Sequence, residues 1–172
     1  MNVRIRPAEP ADAERLALVG AASFLEAFAG IIGGDDIVAH CARRHSRRYY
    51  RDWLGRAAVA AWLAEAEPGL APVGYAVLDS PDLPVPARAG DVEVKRIYLL
   101  HRFQGSGVGF GLMSAGLDWA RAQGKRRALL GVYERNLTAI SFYRRIGFRP
   151  IGARKFQVGE SWNDDIVMAL DL

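Results

Sequence analysis

Val3 and Ile5 alternate with Arg4 and Arg6, and the pattern breaks at Pro7 and Pro10. A period of two predicts a short strand followed by a turn. Asp12 offers the N-cap of a helix running to about Ala29, which the glycines at 30, 33 and 34 end. Asp35 or Asp36 can cap a second helix reaching to about Leu54. Two strands are expected next, Ala57 to Glu67 and Pro72 to Asp79, with Pro68-Gly69 as the hairpin loop between them. Three prolines make 80–90 a loop. Asp91 to Leu100 reads as a further strand, but its apolar parity slips between Val94 and Ile97. A β-bulge there, or a strand buried on both faces, accounts equally well for the slip.

Val108, Leu112, Ala115, Trp119 and Ala122 then recur on one helical face, with Gly124 suited to the position just past the helix end. Ala128 to Val132 is expected as a buried strand. Asn136 is placed to cap a helix carrying Ala139, Phe142, Tyr143 and Ile146, which Gly147 closes. Strands near Phe148 to Phe156 and Asp165 to Leu170 finish the chain. The predicted order, β-α-α-β-β-β-α-β-α-β-β, is an α/β sandwich around one sheet, and residues 1–172 read as one domain.

Composition narrows this little. With 172 residues, 51% hydrophobic and 24% charged, the chain is an ordinary globular one. Its longest apolar run, Ala57 to Ala64, is far short of the roughly 20 residues of a membrane span. The opening residues hold no apolar signal core, so a cytoplasmic setting is expected. The single cysteine, Cys41, excludes an internal disulfide and a thiolate zinc cluster, and the three histidines form no metal constellation. The formal charge is +4, with arginines crowded at 43, 44, 47, 48 and 51. That cluster reads as a solvated helix face or as an anion-binding surface. No zinc-finger spacing or RNA-binding aromatic motif accompanies it, which argues against nucleic acid.

The most informative segment is Gln104-Gly105-Ser106-Gly107-Val108-Gly109, between a strand and a helix. Glycines let successive N–H groups converge, and the helix start adds a positive dipole end, so the turn suits phosphate or pyrophosphate. A tight turn without a ligand is the plainer alternative. A P-loop is excluded by the missing Gly-Lys-Ser/Thr, and the dinucleotide fingerprint by Phe110 or Leu112 where its last glycine should stand. The turn does match Gln/Arg-x-x-Gly-x-Gly/Ala, and here the chain resembles the GNAT superfamily of acetyl-CoA-dependent N-acetyltransferases. RIYLLHRFQGSGVGFGLM (96–113) resembles that family's central strand, pyrophosphate loop and helix. VYERNLTAISFYRRIGF (132–148) resembles its second conserved block, and DDIVMALDL (164–172) its last strand. The opening strand, SFLEAFAG (23–30) and VGYAVL (73–78) resemble members close to bacterial polyamine acetyltransferases.

The resemblance implies a mixed, mostly antiparallel central sheet flanked by helices. It also implies transfer of an acetyl group from acetyl-CoA, without a metal, to a primary amine by direct attack in a ternary complex. Acetyl-CoA would lie against Ile97, Tyr98 and Leu99, the turn residues Gln104, Gly105, Ser106, Gly107, Val108 and Gly109, and Asn136 and Tyr143. The backbone N–H of Leu99 matches the donor to the thioester carbonyl. Tyr143 matches the general acid toward the thiolate; a core tyrosine with a satisfied hydroxyl is the alternative. Asn136 matches the asparagine that helps hold the pantetheine arm, beside its reading as a plain N-cap. Glu93 matches the strand glutamate that acts as base in some members; a strand carboxylate paired with Lys95 is the alternative. His101 reads as a surface turn residue near the ligand, and Cys41 as a small buried hydrophobe.

The acceptor is left open between a small molecule and a peptide amine. A non-catalytic acyl-CoA-binding or regulatory domain of the same fold is the competing reading. Homodimers are common in families like this one, and no membrane partner is expected.

Overall fold

The computed structural model describes residues 2–159 and 161–172. Seven strands form one sheet in the order β1-β2-β3-β4-β5-β7-β6. They are β1 (Val3–Pro7), β2 (Ala60–Ala66), β3 (Ala71–Asp79), β4 (Asp91–Leu99), β5 (Arg127–Tyr133), β6 (Arg149–Val158) and β7 (Ser161–Asp171). Neighbours pair antiparallel except β4 and β5, so the expected mixed, mostly antiparallel sheet is present. The helices are α1 (Ala13–Phe28), α2 (Gly34–Arg44), α3 (Arg47–Leu54), α4 (Val108–Ala122) and α5 (Leu137–Ile146).

One expected helix is two. The chain leaves α2 at His45, and Ser46 starts α3 by accepting the Tyr49 N–H at 3.2 Å. A serine at this position competes for the backbone and opens a new helix rather than continuing the old one. The break has a packing cause as well. It puts His45 and Tyr50 in the interior, where a straight helix would carry them past the sheet.

One face of the sheet holds α1 and α3, with Leu16, Val19, Tyr50 and Trp53 against Leu63, Tyr75 and Val77. The other holds α4 and α5, with Leu112, Met113, Leu117, Ile140 and Tyr143 against Leu78, Val94, Leu130 and Met168. Fully burying each such side chain is worth about 1.5–3 kcal/mol, which locks both helix layers onto the strands. Loop 80–90 packs as well, through Leu83 against Leu129 and Val167.

Both readings of the parity slip hold, each for part of β4. Val77 pairs with Arg96 and Leu78 with Val94, which leaves Lys95 as the extra residue of a bulge. Asp91 to Val94 are buried on both faces, while the strand beyond is partly exposed. The parallel pairing with β5 covers only Asp91–Arg127, Val92–Ala128 and Glu93–Leu129. It is anchored by the Arg127 guanidinium, which grips the Asp91 carboxylate at 2.8 and 2.6 Å. Past this clamp the two strands separate, and that separation positions the site.

Candidate active site

The splay opens a cleft of about 1240 Å³ lined by β4 from Val94 to Leu99, by β5 from Leu130 to Tyr133, and by parts of α1, α5 and β7. A strand edge freed in the middle of a sheet exposes polar backbone groups that must find another partner. Leu100 N–H donates to Val73 C=O on the β3 side. Alternation along a strand therefore turns the N–H and C=O of Leu99 away from β3, toward the open side. The Leu99 carbonyl accepts from Gln104 Nε2 at 3.1 Å, which ties the strand end to the glycine-rich turn.

In that turn Gly105 and Gly107 take φ of +75° and +86°, the left-handed region. A Cβ at either position would meet no protein atom within 4 Å, so the space above them is open to a ligand. The first bond of α4 runs from Gly111 N–H to Gly107 C=O, and among the described residues no acceptor serves the N–H groups of 105–110. Six donors without a protein acceptor thus lead into and open a helix N-terminus, which favours an anion. Ser106 closes the turn by donating its hydroxyl to Phe103 C=O. Val108 packs toward the core, and Gly109 lets the Phe142 ring approach to 3.8 Å from where a Cβ would be.

Tyr143 reaches the cleft from α5. Its ring is packed beside Phe142 and Phe148, and its hydroxyl has no hydrogen-bond partner among the described residues. Burial raises its pKa above the ordinary phenol value, so it stays protonated near neutral pH. Asn136 is exposed on the rim, where its Oδ1 caps α5 by accepting the Ala139 N–H at 3.0 Å. Its cap geometry and its place on the cleft coexist.

Glu93 is placed elsewhere. Its buried carboxylate accepts from Lys95 Nζ at 2.7 Å and from the Asp82 N–H at 3.0 Å, and it is not among the cleft-lining residues. Burial raises its pKa, against the opposing pull of Lys95. The group ties loop 80–90 to the β4 bulge, which matches the Lys95-paired alternative. We expect Glu93→Gln to leave the pH–rate profile parallel to wild type from pH 6 to 9. A selective loss at low pH would return Glu93 to the role of base.

The sequence reading did not single out Ser23, Glu26, Arg96, Trp162 and Asn163, which also line the cleft. His101 is exposed, and its N–H donates to Glu26. Cys41 packs with Phe24 and Ile37, and its thiol is pushed up by burial. The arginines at 43, 44, 47, 48 and 51 are exposed, with Arg47 on Glu14 and Arg48 facing Asp52, as a solvated face requires. Among the described residues no group of three potential ligands could hold a metal, and no helix is long and apolar enough to cross a membrane.

Behind the cleft, His40 stacks on Phe24, and His45 contacts the Tyr50 hydroxyl at 3.0 Å. Burial and the nearby Arg96 charge lower their pKa values, to about 4 for His40 and about 3 for His45. Unfolding returns both to about 6.5, so below that pH the unfolded chain binds more protons and stability falls as pH drops. The melting temperature should therefore fall between pH 7 and pH 5. The drop should shrink in a folded His40→Gln variant; an unchanged drop would refute the coupling.

The cleft between the splayed parallel strands thus joins an N–H cradle suited to an anion with a protonated tyrosine. Residues 31–148 match the model of the acetyltransferase (GNAT) family. An uncharacterized N-acetyltransferase of Mycobacterium bovis is 31% identical over 161 residues, covering 94% of this chain and 98% of that protein. The chain therefore belongs to the GNAT acetyltransferase family and is an acyltransferase. Its fold is similar to that of the PaiA N-acetyltransferase from Thermoplasma acidophilum in complex with coenzyme A, with a TM-score of 0.81, 21% identity and full coverage of both chains. It is also similar to the ribosomal-protein-S18-alanine N-acetyltransferase of Escherichia coli, with a TM-score of 0.67, 18% identity and coverage of 99% and 94%.

Proposed function

We propose that the protein transfers an acetyl group from acetyl-CoA to a primary amine by direct attack in a ternary complex. The observation that carries this reading is the β4–β5 splay, with free N–H groups at 105–110 at its mouth and an unpartnered Tyr143 hydroxyl inside. The pyrophosphate of CoA would take the N–H cradle, and the pantetheine arm would extend the β4 edge beside Ile97, Tyr98 and Leu99. That the PaiA structure holds coenzyme A supports the choice of donor.

The amine nitrogen forms a bond to the thioester carbon while the carbonyl oxygen gathers charge opposite the Leu99 N–H. The C–S bond then breaks, and Tyr143 gives its proton to the departing thiolate. The ammonium first loses one proton through water, since Glu93 is held away from the cleft, and the second proton that nitrogen sheds as the amide forms restores the Tyr143 hydroxyl through water. Segments 23–30 and 73–78 resemble polyamine acetyltransferases, so diamines belong in the amine panel along with amino acids and peptides. Initial velocities with acetyl-CoA and amine both varied should give intersecting double-reciprocal lines. Parallel lines would mean an acetylated enzyme and would refute direct attack.

A further inference from the structure

Arg96 sits in the middle of β4, lines the cleft, and is surrounded by rings. Its guanidinium carbon lies 5.2 Å from the Tyr49 ring centroid, 5.3 Å from that of Tyr50 and 5.0 Å from that of Trp53. One terminal nitrogen, Nη1, donates to the Arg44 carbonyl at 2.9 Å and to the Tyr50 hydroxyl at 2.6 Å, with His45 Nδ1 at 3.5 Å. Nε and Nη2 have no acceptor among the described residues, and no carboxylate among them pairs with this cation. The phenols and imidazoles around it stay neutral near pH 7, since burial raises Tyr50 and Tyr75 and lowers His40 and His45. The charge is therefore uncompensated.

A second donor without an acceptor lines the same cleft. Asn163 Nδ2 is buried and makes no hydrogen bond. A partly buried guanidinium without a carboxylate costs desolvation that ring faces and neutral acceptors offset only in part. The edge left free, Nε with Nη2, is the fork that grips a carboxylate through two parallel hydrogen bonds. With aromatic rings over the guanidinium, approach in the plane of that edge suits a flat carboxylate. The one carboxylate among the described cleft-lining residues, Glu26, is exposed and already accepts the His101 N–H. A cleft built for a diamine would show the opposite balance.

We infer that the acceptor is a small amine that also carries a carboxylate, an amino acid or close analogue, whose carboxylate is received by the free edge of Arg96 with Asn163 as a further donor. The inference rests on the reading of the cleft as the acetyl-transfer site and names its substrate class. A polyamine, with two cations and no anion, would leave the Arg96 edge unpaired and place its second ammonium near a like charge.

The test compares lysine with cadaverine and tyrosine with tyramine, pairs that differ by one carboxylate. Binding to the protein loaded with CoA is measured by calorimetry, and acetylation is measured separately with acetyl-CoA. The carboxylated member of each pair should bind at least tenfold more tightly. In Arg96→Gln, checked for unaltered CoA affinity, that ratio should collapse toward one. Arg96→Lys, which keeps the charge but not the fork, should give an intermediate ratio. Should Arg96→Gln fail to fold, Asn163→Asp decides, because a carboxylate there should reverse the preference toward the decarboxylated member of each pair. Equal or tighter binding of the decarboxylated members by wild type would overturn the inference. So would a preserved ratio in folded Arg96→Gln, or in Asn163→Asp when it is the deciding variant. Preference in binding without turnover of any amine would refute acetyl transfer and leave the carboxylate site standing.

Discussion

Tyr143→Phe should lower kcat by about 100-fold, equivalent to about 2.7 kcal/mol of transition-state stabilisation, with CoA affinity little changed. The phenylalanine keeps the ring between Phe142 and Phe148, so packing on α5 is preserved. What it removes is an unpartnered hydroxyl inside the cleft. Burial holds that hydroxyl protonated, which is the state a proton donor to a thiolate needs. The sign follows directly. A phenol whose pKa is raised above about 10 remains an acid throughout pH 6 to 9, so it imposes no alkaline fall in rate in that range. Single-turnover kinetics under conditions where chemistry limits the rate provide the check. Full activity in the Phe variant would reduce Tyr143 to a core tyrosine.

Gly107→Val should weaken CoA binding at least tenfold, about 1.4 kcal/mol, without lowering the cooperativity of unfolding. Two effects combine. At φ of +86° a β-branched residue is strained, and its side chain enters the open space above the turn. Gly107→Asn separates them, because asparagine tolerates the left-handed region yet still fills the space. If the cradle receives phosphate, both variants lose affinity, and Val loses more. Retained affinity in Asn with loss in Val would show that backbone shape alone matters. Retained affinity in both, by calorimetry, would remove the turn from the ligand site.

The parts of this site that could be read from the residues are those whose chemistry is local. Gln104 to Gly109 shows itself because left-handed φ values demand glycine in a short run. Asn136 and Gly147 show themselves because helix ends demand caps, and the structure has both in those places. Tyr143 falls on a face that periodicity predicts. What local pattern cannot supply is the side-chain partner of a strand residue, because that partner comes from a distant element. Glu93 illustrates this, since the family resemblance suggested a base while the Asp82 N–H and Lys95 Nζ both bind its Oε2. Arg96 illustrates the reverse. Arg96 is one of four charged residues on β4, so nothing local sets it apart, and its meaning depends on Tyr49, Tyr50 and Trp53. Those residues arrive only because Ser46 breaks the expected helix into α2 and α3. The bulge at Lys95 was half legible as a parity slip, but its consequence is visible only in the register with β3 and the short pairing with β5.

The central claim is that this cleft carries out amide formation as well as acyl-CoA binding. Its most direct test is the stoichiometry of products when wild-type protein is incubated with acetyl-CoA and the amine panel. Free CoA thiol is followed by colour reaction, and N-acetyl amine by mass spectrometry. The account predicts one acetylated amine for each thiol released, at a rate that Tyr143→Phe lowers about 100-fold. Tight CoA binding with no amide formed from any amine, or thiol release without amide, would contradict it.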